Sequence, residues 1–432
     1  MVTTLSYLIA NDRELLPHIE STAIKLMRRN YVLPGRVLTL NDMNGWNIRK
    51  VSEYVQTRRA VELAESTAIP ATEIMRARLN SIEPKEVGDA YEVSERRINT
   101  DYAGIVVEIA SALARSVGER IEVDLFATLN DAFVNNNINN TGSDFSTEML
   151  VAAEMMMQPH FDGATAMYHV AHPYQTLPIL KNLVRITDSE SGMAAMKNLA
   201  RMSARTIPLL PGMSVVTGAL HPRNVVLQLN VQGDGGTFRL QVGDSYVEGE
   251  NITAAIDYDA TTATMVSDIQ TALNALDMSG FYSGAGTWVV TGSDEADLTI
   301  TPPSDLFLDD FSQLRIANKY DSDAVINHYF DVITQKSAYD LVTTPDTGVT
   351  DMNGVEVGVV LKERSATARV YSYFEDAIVR DVRKPITPFS DLEIHDGRTN
   401  RYALSTTYGT GSWRPYRGMY TITDANSPRA VG

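Results

Sequence analysis

The sequence lacks the residues and segments on which several classes of protein depend. It contains no cysteine, which excludes disulfides and any metal or thiol chemistry through cysteine. Residues 1–20 hold no basic region followed by an apolar run, so we expect no signal peptide. No stretch approaches the roughly eighteen consecutive apolar residues of a membrane-spanning helix, and we expect no contact with a membrane.

Positive charge is also scarce. The chain has 37 Lys and Arg against 54 Asp and Glu, a formal net charge of −17. This balance argues against a broad nucleic-acid-binding face, since phosphate binding needs clustered Lys and Arg. Residues 228–304 hold eleven Asp or Glu against the single Arg239, a net charge of −10 that leaves −7 for the other 355 residues. Such a composition shift predicts an acidic inserted domain at 225–304.

Motifs for catalysis or metal binding are missing as well. His169 and His172 have a spacing that a metal could use, but the HExxH arrangement is absent, and the third ligand would have to be His160 or Glu154. We therefore interpret both histidines as structural. No G-x-S-x-G elbow and no D-x-D-x-D-G calcium loop occurs. We expect no catalytic residue, no bound metal, no cofactor and no enzyme activity.

Two further local patterns have ordinary structural interpretations. Gly409 and Gly411 lack the following helix or lysine that phosphate binding needs, and we predict that they form a turn. Three consecutive methionines at 155–157 are predicted to fill the core, because methionine adapts to irregular gaps.

The strongest positive signal is a row of apolar residues at four-residue spacing. Such a row predicts one long amphipathic helix spanning roughly 43 Å. It drifts by about 40° around the axis at each step, so a single flat partner cannot cover it. The eight residues of the row are Ile105, Ile109, Leu113, Val117, Ile121, Leu125, Leu129 and Phe133.

The segments before this helix predict contacts with other subunits. Residues 1–50 are expected to form an extended arm with one helix. Residues 51–98 are dense in both charge signs and poor in large apolar residues, so their ordering needs a partner. A solvated surface is the alternative. We predict a two-stranded loop on a neighbouring subunit with charges paired across the contact, through Arg58, Arg59, Arg76, Arg78, Arg96 and Arg97.

The segments after the helix predict an α+β fold. Residues 145–224 alternate helix and strand, including one strand over 206–217. Residues 225–304 alternate as strands, with a hairpin predicted at 234–236 and a helix over 263–276. A connecting segment at 305–352 precedes a return of the α+β pattern at 353–432.

This order of elements resembles the major capsid proteins of tailed bacteriophages with the Hong Kong 97-like fold. The resemblance covers residues 1–220 and 354–425. It implies an N-terminal arm at 1–50, an extended loop at 51–98, a peripheral domain with a spine helix at 99–144, an axial domain at 145–224 that continues in 305–352, and a return to both domains at 353–432. The strings that carry it include ERIEVDLFATL at 119–129, IPLLPGMSVVT at 207–217 and VVLKERSATARVY at 359–371.

The resemblance also implies a function. Such a chain assembles as hexamers and pentamers into an icosahedral shell that encloses double-stranded DNA without sequence-specific binding. The implied partners are copies of itself, a separate scaffolding protein and a portal protein, with a decoration protein as a further candidate. The implied location is the virion capsid, assembled in the host cytoplasm.

The resemblance alone points to one further contact residue. Some relatives link subunits covalently through a lysine of the extended loop, and Lys85 is the only lysine between Val51 and Leu180. Lys85 is therefore a candidate contact residue. Two alternatives stay open for the whole chain: an encapsulin-like compartment that stores an enzyme, and a surface-binding adhesin-type protein based on 225–304.

Overall fold

The computed structural model describes most of the chain, in two compact units. The described residues are 31–43, 45–55, 75–94, 102–160, 166–179, 206–210, 213–218, 221–233, 237–242, 252–257, 261–276, 287–294, 297–303, 314–317, 357–393 and 399–426. Unit 1 comprises Met1–Asn137, Leu150–His169 and Tyr371–Tyr420. Unit 2 comprises Ile138–Met149, Val170–Val370 and Thr421–Gly432.

The helices and strands alternate along the chain as an α+β fold. In order, the elements are β1 (Leu38–Leu40), β2 (Arg49–Val55), β3 (Met75–Ile82), β4 (Lys85–Ser94), α1 (Tyr102–Ala132), β5 (Asn137–Asn139), α2 (Thr147–Met157), β6 (Met167–Ala171), β7 (Thr206–Leu210), β8 (Met213–Thr217), β9 (Arg223–Gly233), β10 (Thr237–Val242), β11 (Ile256–Asp257), α3 (Thr262–Asn274), β12 (Val289–Thr291), β13 (Leu298–Thr301), β14 (Leu314–Ala317), β15 (Val357–Phe374), β16 (Ile378–Glu393), β17 (Thr399–Ser412) and β18 (Gly418–Asp424).

Helix α1 forms the core of unit 1 and confirms the prediction from the apolar row. Its 31 residues span about 46 Å. The seven residues of the row from Ile109 to Phe133 are all buried, none more than 7% exposed. The winding stripe is covered in turn by β4, β16, β17 and the 3-10 turn at Leu33–Gly35. Several short partners thus cover the stripe that one flat partner could not.

The sheet beneath α1 has the strand order β1-β16-β17-β4. Strand β1 runs parallel to β16, while β16 with β17 and β17 with β4 are antiparallel. Strand β4 lies within the extended loop predicted at 51–98. Its residues 85–94 pair with β17 of their own chain, from Lys85 opposite Tyr408 to Ser94 opposite Thr399. Buried Val93, at 7% exposure, contributes to the core of unit 1 and explains this placement.

Strands β2 and β3 form a separate two-stranded antiparallel ribbon. Its register runs from Arg49 opposite Ile82 to Val55 opposite Met75, with one irregularity after Glu53. The two-stranded form predicted for this part of the loop is therefore present in the described residues.

Unit 2 is built largely on a nine-stranded sheet and one hydrophobic cluster. The sheet has the order β12-β13-β9-β15-β6-β8-β7, with β18 and β5 off this path. Helix α3 confirms the helix predicted over 263–276, and it buries Met265, Ile269 and Leu273. Apart from Leu361 and Ala366 on β15, the buried residues of the cluster lie between 225 and 314: Val225, Leu227, Leu229, Val231, Phe238, Leu240, Val242, Ile256, Met265, Ile269, Leu273, Leu276, Trp288, Val290, Leu298, Ile300 and Leu314.

Two strand predictions are wrong. Residues 234–236 lie outside the described residues, but the described strands on either side of them are not hairpin partners: β9 is flanked by β13 and β15, while β10 pairs with β11 and β14. The single strand predicted at 206–217 is instead an antiparallel pair, β7 and β8. A proline and a glycine, Pro211 and Gly212, separate the two strands and are poorly suited to continue one.

The methionine prediction is only partly correct. Met157 is buried at 3% exposure, whereas Met155 and Met156 are 67% and 59% exposed. Consecutive residues of a helix point about 100° apart, so three of them cannot share one buried face. Among the described residues, no helix combines the length and apolar character needed to cross a membrane.

Candidate assembly surface

The end of the N-terminal arm is fixed on α1 by a buried carboxylate. Glu122 is 1% exposed. Its carboxylate accepts hydrogen bonds from the backbone N–H of Val32 at 3.1 Å and from that of Leu33 at 3.1 and 3.3 Å. Carboxylates stabilise backbone N–H groups that have no carbonyl partner at the start of a turn. Residues 32 and 33 are therefore held on α1.

A second contact fixes the residue before this turn. The Tyr31 hydroxyl donates to the Arg115 carbonyl at 3.0 Å, and partial burial, followed by the charge of Glu119, raises the pKa of Tyr31. A Cβ atom on Gly118 would lie 2.2 Å from the Tyr31 ring. The missing side chain of Gly118 thus leaves the space that the ring occupies.

The base of the ribbon is held by a buried ionic cluster. The Arg49 Nε donates to Asp381 Oδ2 at 2.7 Å, and an Arg383 nitrogen lies 2.6 Å from the same oxygen. The side chains of Asp381, Arg383 and Arg49 are 0%, 1% and 13% exposed. Arg49 also pairs with exposed Asp42. The bond to Asp381 raises the pKa of Arg49, and the bond from Arg49 lowers the pKa of Asp42.

The other strand of the ribbon is held against β17. The Asn80 amide donates to the Ser412 carbonyl at 3.0 Å and to its hydroxyl at 2.8 Å. Ile82 is 1% exposed, and a Cβ atom on Gly409 or Gly411 would lie 2.7 Å from its side chain. These two glycines lie within β17 and not in the predicted turn. They permit close approach of β17 to the ribbon, so both ribbon strands are anchored at one end.

Lys85 is engaged within its own chain. Its Nζ lies 2.7 Å from Asp124 Oδ2, and the Tyr408 hydroxyl donates to the same oxygen. Arg120 Nε approaches the other oxygen of Asp124 at 3.3 Å. Burial, followed by the bond to Asp124, raises the pKa of Tyr408. The Lys85 side chain is still 42% exposed. Its role between subunits stays a prediction.

The other predicted contact residues lie mainly beyond what the structure describes. Arg58, Arg59, Arg96 and Arg97 are outside the described residues. Arg76 and Arg78 lie on β3, at register positions opposite Tyr54 and Glu53.

Sequence reasoning missed the residues that anchor the arm and the ribbon, namely Glu122, Arg49, Asn80, Asp381 and Arg383. Only one signal was available for them. Asp381 and Arg383 are opposite charges two residues apart in the strand-like run IVRDVRK at 378–384, and alternate residues of a strand share a face.

The two histidines make separate contacts. His169 Nδ1 lies 2.9 Å from the Ser372 hydroxyl, and burial lowers the pKa of His169 to about 4. His172 Nδ1 accepts from the Tyr174 N–H at 3.1 Å and caps the 3-10 turn at Pro173–Thr176. Within the described part of the chain, no three His, Cys, Asp or Glu residues are placed to hold a metal ion. The side chain of His160 is not described.

The chain is similar to solved phage capsid structures at low identity. It aligns with the capsid structure of the cyanophage P-SCSP1u at a TM-score of 0.45 and 11% identity, over 92% of this chain and 89% of that chain. The acidic stable capsid structure of Helicobacter pylori bacteriophage KHP30 gives a TM-score of 0.45 and 10% identity, over 90% and 88%.

A virus-like particle from Pyrococcus furiosus gives a TM-score of 0.40 and 7% identity, over 94% of this chain and 98% of that chain. No protein-family model and no curated protein matches the sequence.

Proposed function

We propose that this chain is the major capsid protein of a tailed bacteriophage with the Hong Kong 97-like fold. It self-assembles as hexamers and pentamers into an icosahedral shell around the phage genome. Three features support the proposal: the 31-residue helix α1 packed on a sheet, the arm that is fixed on α1 at Val32 and Leu33, and the ribbon of β2 and β3.

The ribbon is the observation that carries the proposal. A two-stranded ribbon is marginally stable in water by itself, since stability requires a third strand or a packed face. Within the described residues, β2 and β3 pair with each other and with no further strand. One end is fixed by Arg49 and Asn80, so the ribbon has a defined direction. We infer that a neighbouring copy stabilises the remainder, and that the predicted arginine contacts lie at that interface.

The shell function depends on how copies contact each other and not on a catalysed reaction. Each exposed ion pair between copies contributes on the order of 0–1 kcal/mol, so individual contacts form and break during assembly. Many such contacts in a closed lattice stabilise the finished shell. The net charge of −17 suits a container that does not bind its DNA tightly. Scaffolding, portal and decoration proteins are proposed partners, assembly takes place in the host cytoplasm, and no enzyme activity is required.

The acidic block is proposed to be an inserted domain that projects from the outer surface. The hydrophobic cluster of residues 225–314 supports this proposal, because a domain needs its own core. Strand β14 extends this block beyond the predicted limit at 304, since it pairs with β10 from Arg239 opposite Ala317 to Val242 opposite Leu314. An outward position separates the net charge of −10 on 228–304 from the packaged DNA.

Electron microscopy of the chain expressed alone, and with the neighbouring genes of its genome, tests the proposal. Closed shells or rings of capsomers are expected. A monodisperse monomer under both conditions would contradict self-assembly. An enzyme that copurifies inside the shells in stoichiometric amount would favour the encapsulin-like compartment instead.

Charge reversal tests the predicted ribbon contacts. The variant R76E/R78E should lower the yield of shells without lowering the thermal stability of the unassembled subunit. An unchanged shell yield would show that these two arginines are not contact residues.

A further inference from the structure

Unit 1 carries two clusters of large apolar side chains that its own chain leaves exposed. The first, the Trp46 loop, comprises the described residues 42–43 and 45–50 and exposes Trp46 at 62% and Ile48 at 47%. The second, the α2 face, exposes Val151 at 37%, Met155 at 67% and Met156 at 59%. Single exposed apolar residues are ordinary, whereas neighbouring ones mark interaction surfaces.

The Trp46 loop is preorganised for binding. Its two ends are joined by the ion pair of Asp42 with Arg49, and Arg49 is fixed in turn by buried Asp381. Gly45 at the tip has a φ of 77°, which favours glycine at this position. A loop held in this way loses little conformational freedom when it binds. Tryptophan in such a loop is also the residue type most often dominant at protein interfaces.

The α2 face is a helix surface suited to receive an aromatic ring. Val151 and Met155 are four residues apart and therefore lie one turn apart on the same side of α2. The opposite side buries Leu150, Ala153 and Met157, so α2 cannot rotate to hide the face. Methionine sulfur makes favourable contacts with aromatic rings, and the flexible side chain adapts to their shape.

Charge is complementary between the two clusters. Lys50 is exposed, and it follows Ile48 by two residues and Trp46 by four. It is thus close in sequence to both exposed apolar residues of the loop. Glu154 lies three residues after Val151 with a side chain that is 40% exposed. Its nearest cationic candidate, His169 at 3.6 Å, is neutral near pH 7 because burial lowers its pKa to about 4. Burial also raises the pKa of Glu154, and this carboxyl group is the one offered to Lys50 of another copy.

We propose that the Trp46 loop of one copy docks on the α2 face of the next copy, with Trp46 against Met155 and Met156. The inference rests on the proposed shell function. A ring of identical subunits needs two different complementary surfaces on each chain, since its contacts are head-to-tail. The Trp46 loop also leads directly into β2 at Arg49, so it continues the ribbon that requires a neighbouring copy.

The absence of cysteine allows a direct test by disulfide trapping. Copies with W46C and copies with M155C, carrying tags of different mass, are mixed, assembled and oxidised. A heterodimer band joining the two variants is expected in assembled material. Copies with V289C replace those with W46C as the matched control, because Val289 is also an exposed apolar residue, at 45%, but lies in the other unit.

Two results would overturn the docking. One is assembly without a W46C–M155C heterodimer, and the other is a W46C homodimer as the main product. Failure of the unmodified chain to form shells or rings would instead contradict the proposed function, so the two failures are distinguishable.

A second measurement does not depend on introduced cysteines. The variant W46A should raise the concentration needed for assembly by about tenfold, as expected for loss of an aromatic anchor. W46F should restore most of the difference. The melting temperature of unassembled W46A should equal that of the unmodified chain, because Trp46 is exposed there. An unchanged assembly threshold for W46A would also overturn the proposal.

Discussion

Replacing Asp381 by asparagine should destabilise unit 1 far more than the loss of an ordinary ion pair. Asp381 is fully buried, and it neutralises Arg383, whose side chain is 1% exposed, and Arg49, at 13%. Asparagine keeps the shape but removes the charge, so buried Arg383 loses this counter-ion and Arg49 keeps only its pair with exposed Asp42. Breaking a buried pair in this way costs about 3–5 kcal/mol. That loss is a large part of the free energy of unfolding of a typical protein, which is roughly 5–15 kcal/mol.

Urea unfolding of the unassembled subunit measures this loss. Trp288 is the only tryptophan of unit 2, so the W288F background leaves Trp46 and Trp413 as fluorescent reporters of unit 1. The matched control is E119Q, which removes a carboxylate from an exposed ion pair with Arg115 on α1. Such a pair contributes roughly 0.3–0.5 kcal/mol. If D381N unfolded at the same urea concentration as E119Q, the ionic cluster would not be what anchors the ribbon.

Two further predictions concern packing and pH. G418A should destabilise unit 1 by about 1–3 kcal/mol, because the new Cβ would lie 2.1 Å from the ring of fully buried Phe133; G35A, with nothing within 4 Å, is the control, and equal melting temperatures would refute the prediction. Burial lowers the pKa of His221 to about 3, so between about pH 6.5 and 3 the unfolded chain binds the proton and the folded chain does not. The free energy of unfolding should therefore fall by about 2 kcal/mol from pH 7 to pH 5 through His221 alone, and urea titrations of H221Q should show a shallower fall.

The spacing of apolar residues within a single segment predicted the helices α1 and α3. The four-residue row from Ile109 to Phe133 has the period of a helix, and each of these residues is buried in the structure. The same holds for α3, where Met265, Ile269 and Leu273 face one cluster. Here the local pattern and the tertiary packing require the same conformation, and the prediction was confirmed.

Strand pairing could not be obtained in the same way. Gly-rich residues 234–236 follow an alternating run and are typical of a hairpin, yet β9 pairs with β15, more than 120 residues later, from Arg223 opposite Ala368 to Gly233 opposite Val357. Backbone hydrogen bonds identify no partner by sequence, so alternation predicts a strand without predicting its neighbour. Among the candidate site residues, Glu122 and Asp381 were missed for a related reason: their partners are distant in sequence.

The pairing of β9 changes what removal of the acidic block would do. From composition alone, a chain without 225–304 should still form shells. In the structure, β9 lies between β13 and β15, and Leu361 and Ala366 on β15 belong to the same hydrophobic cluster as the block. Removing 225–304 would therefore expose one edge of β15 together with part of its apolar face, and such edges pair with other chains. An excision that keeps β9 and removes only residues after Gly233 would leave that edge paired. Loss of shells in the first variant would thus reflect a broken sheet and would not place the acidic block in the assembly contacts.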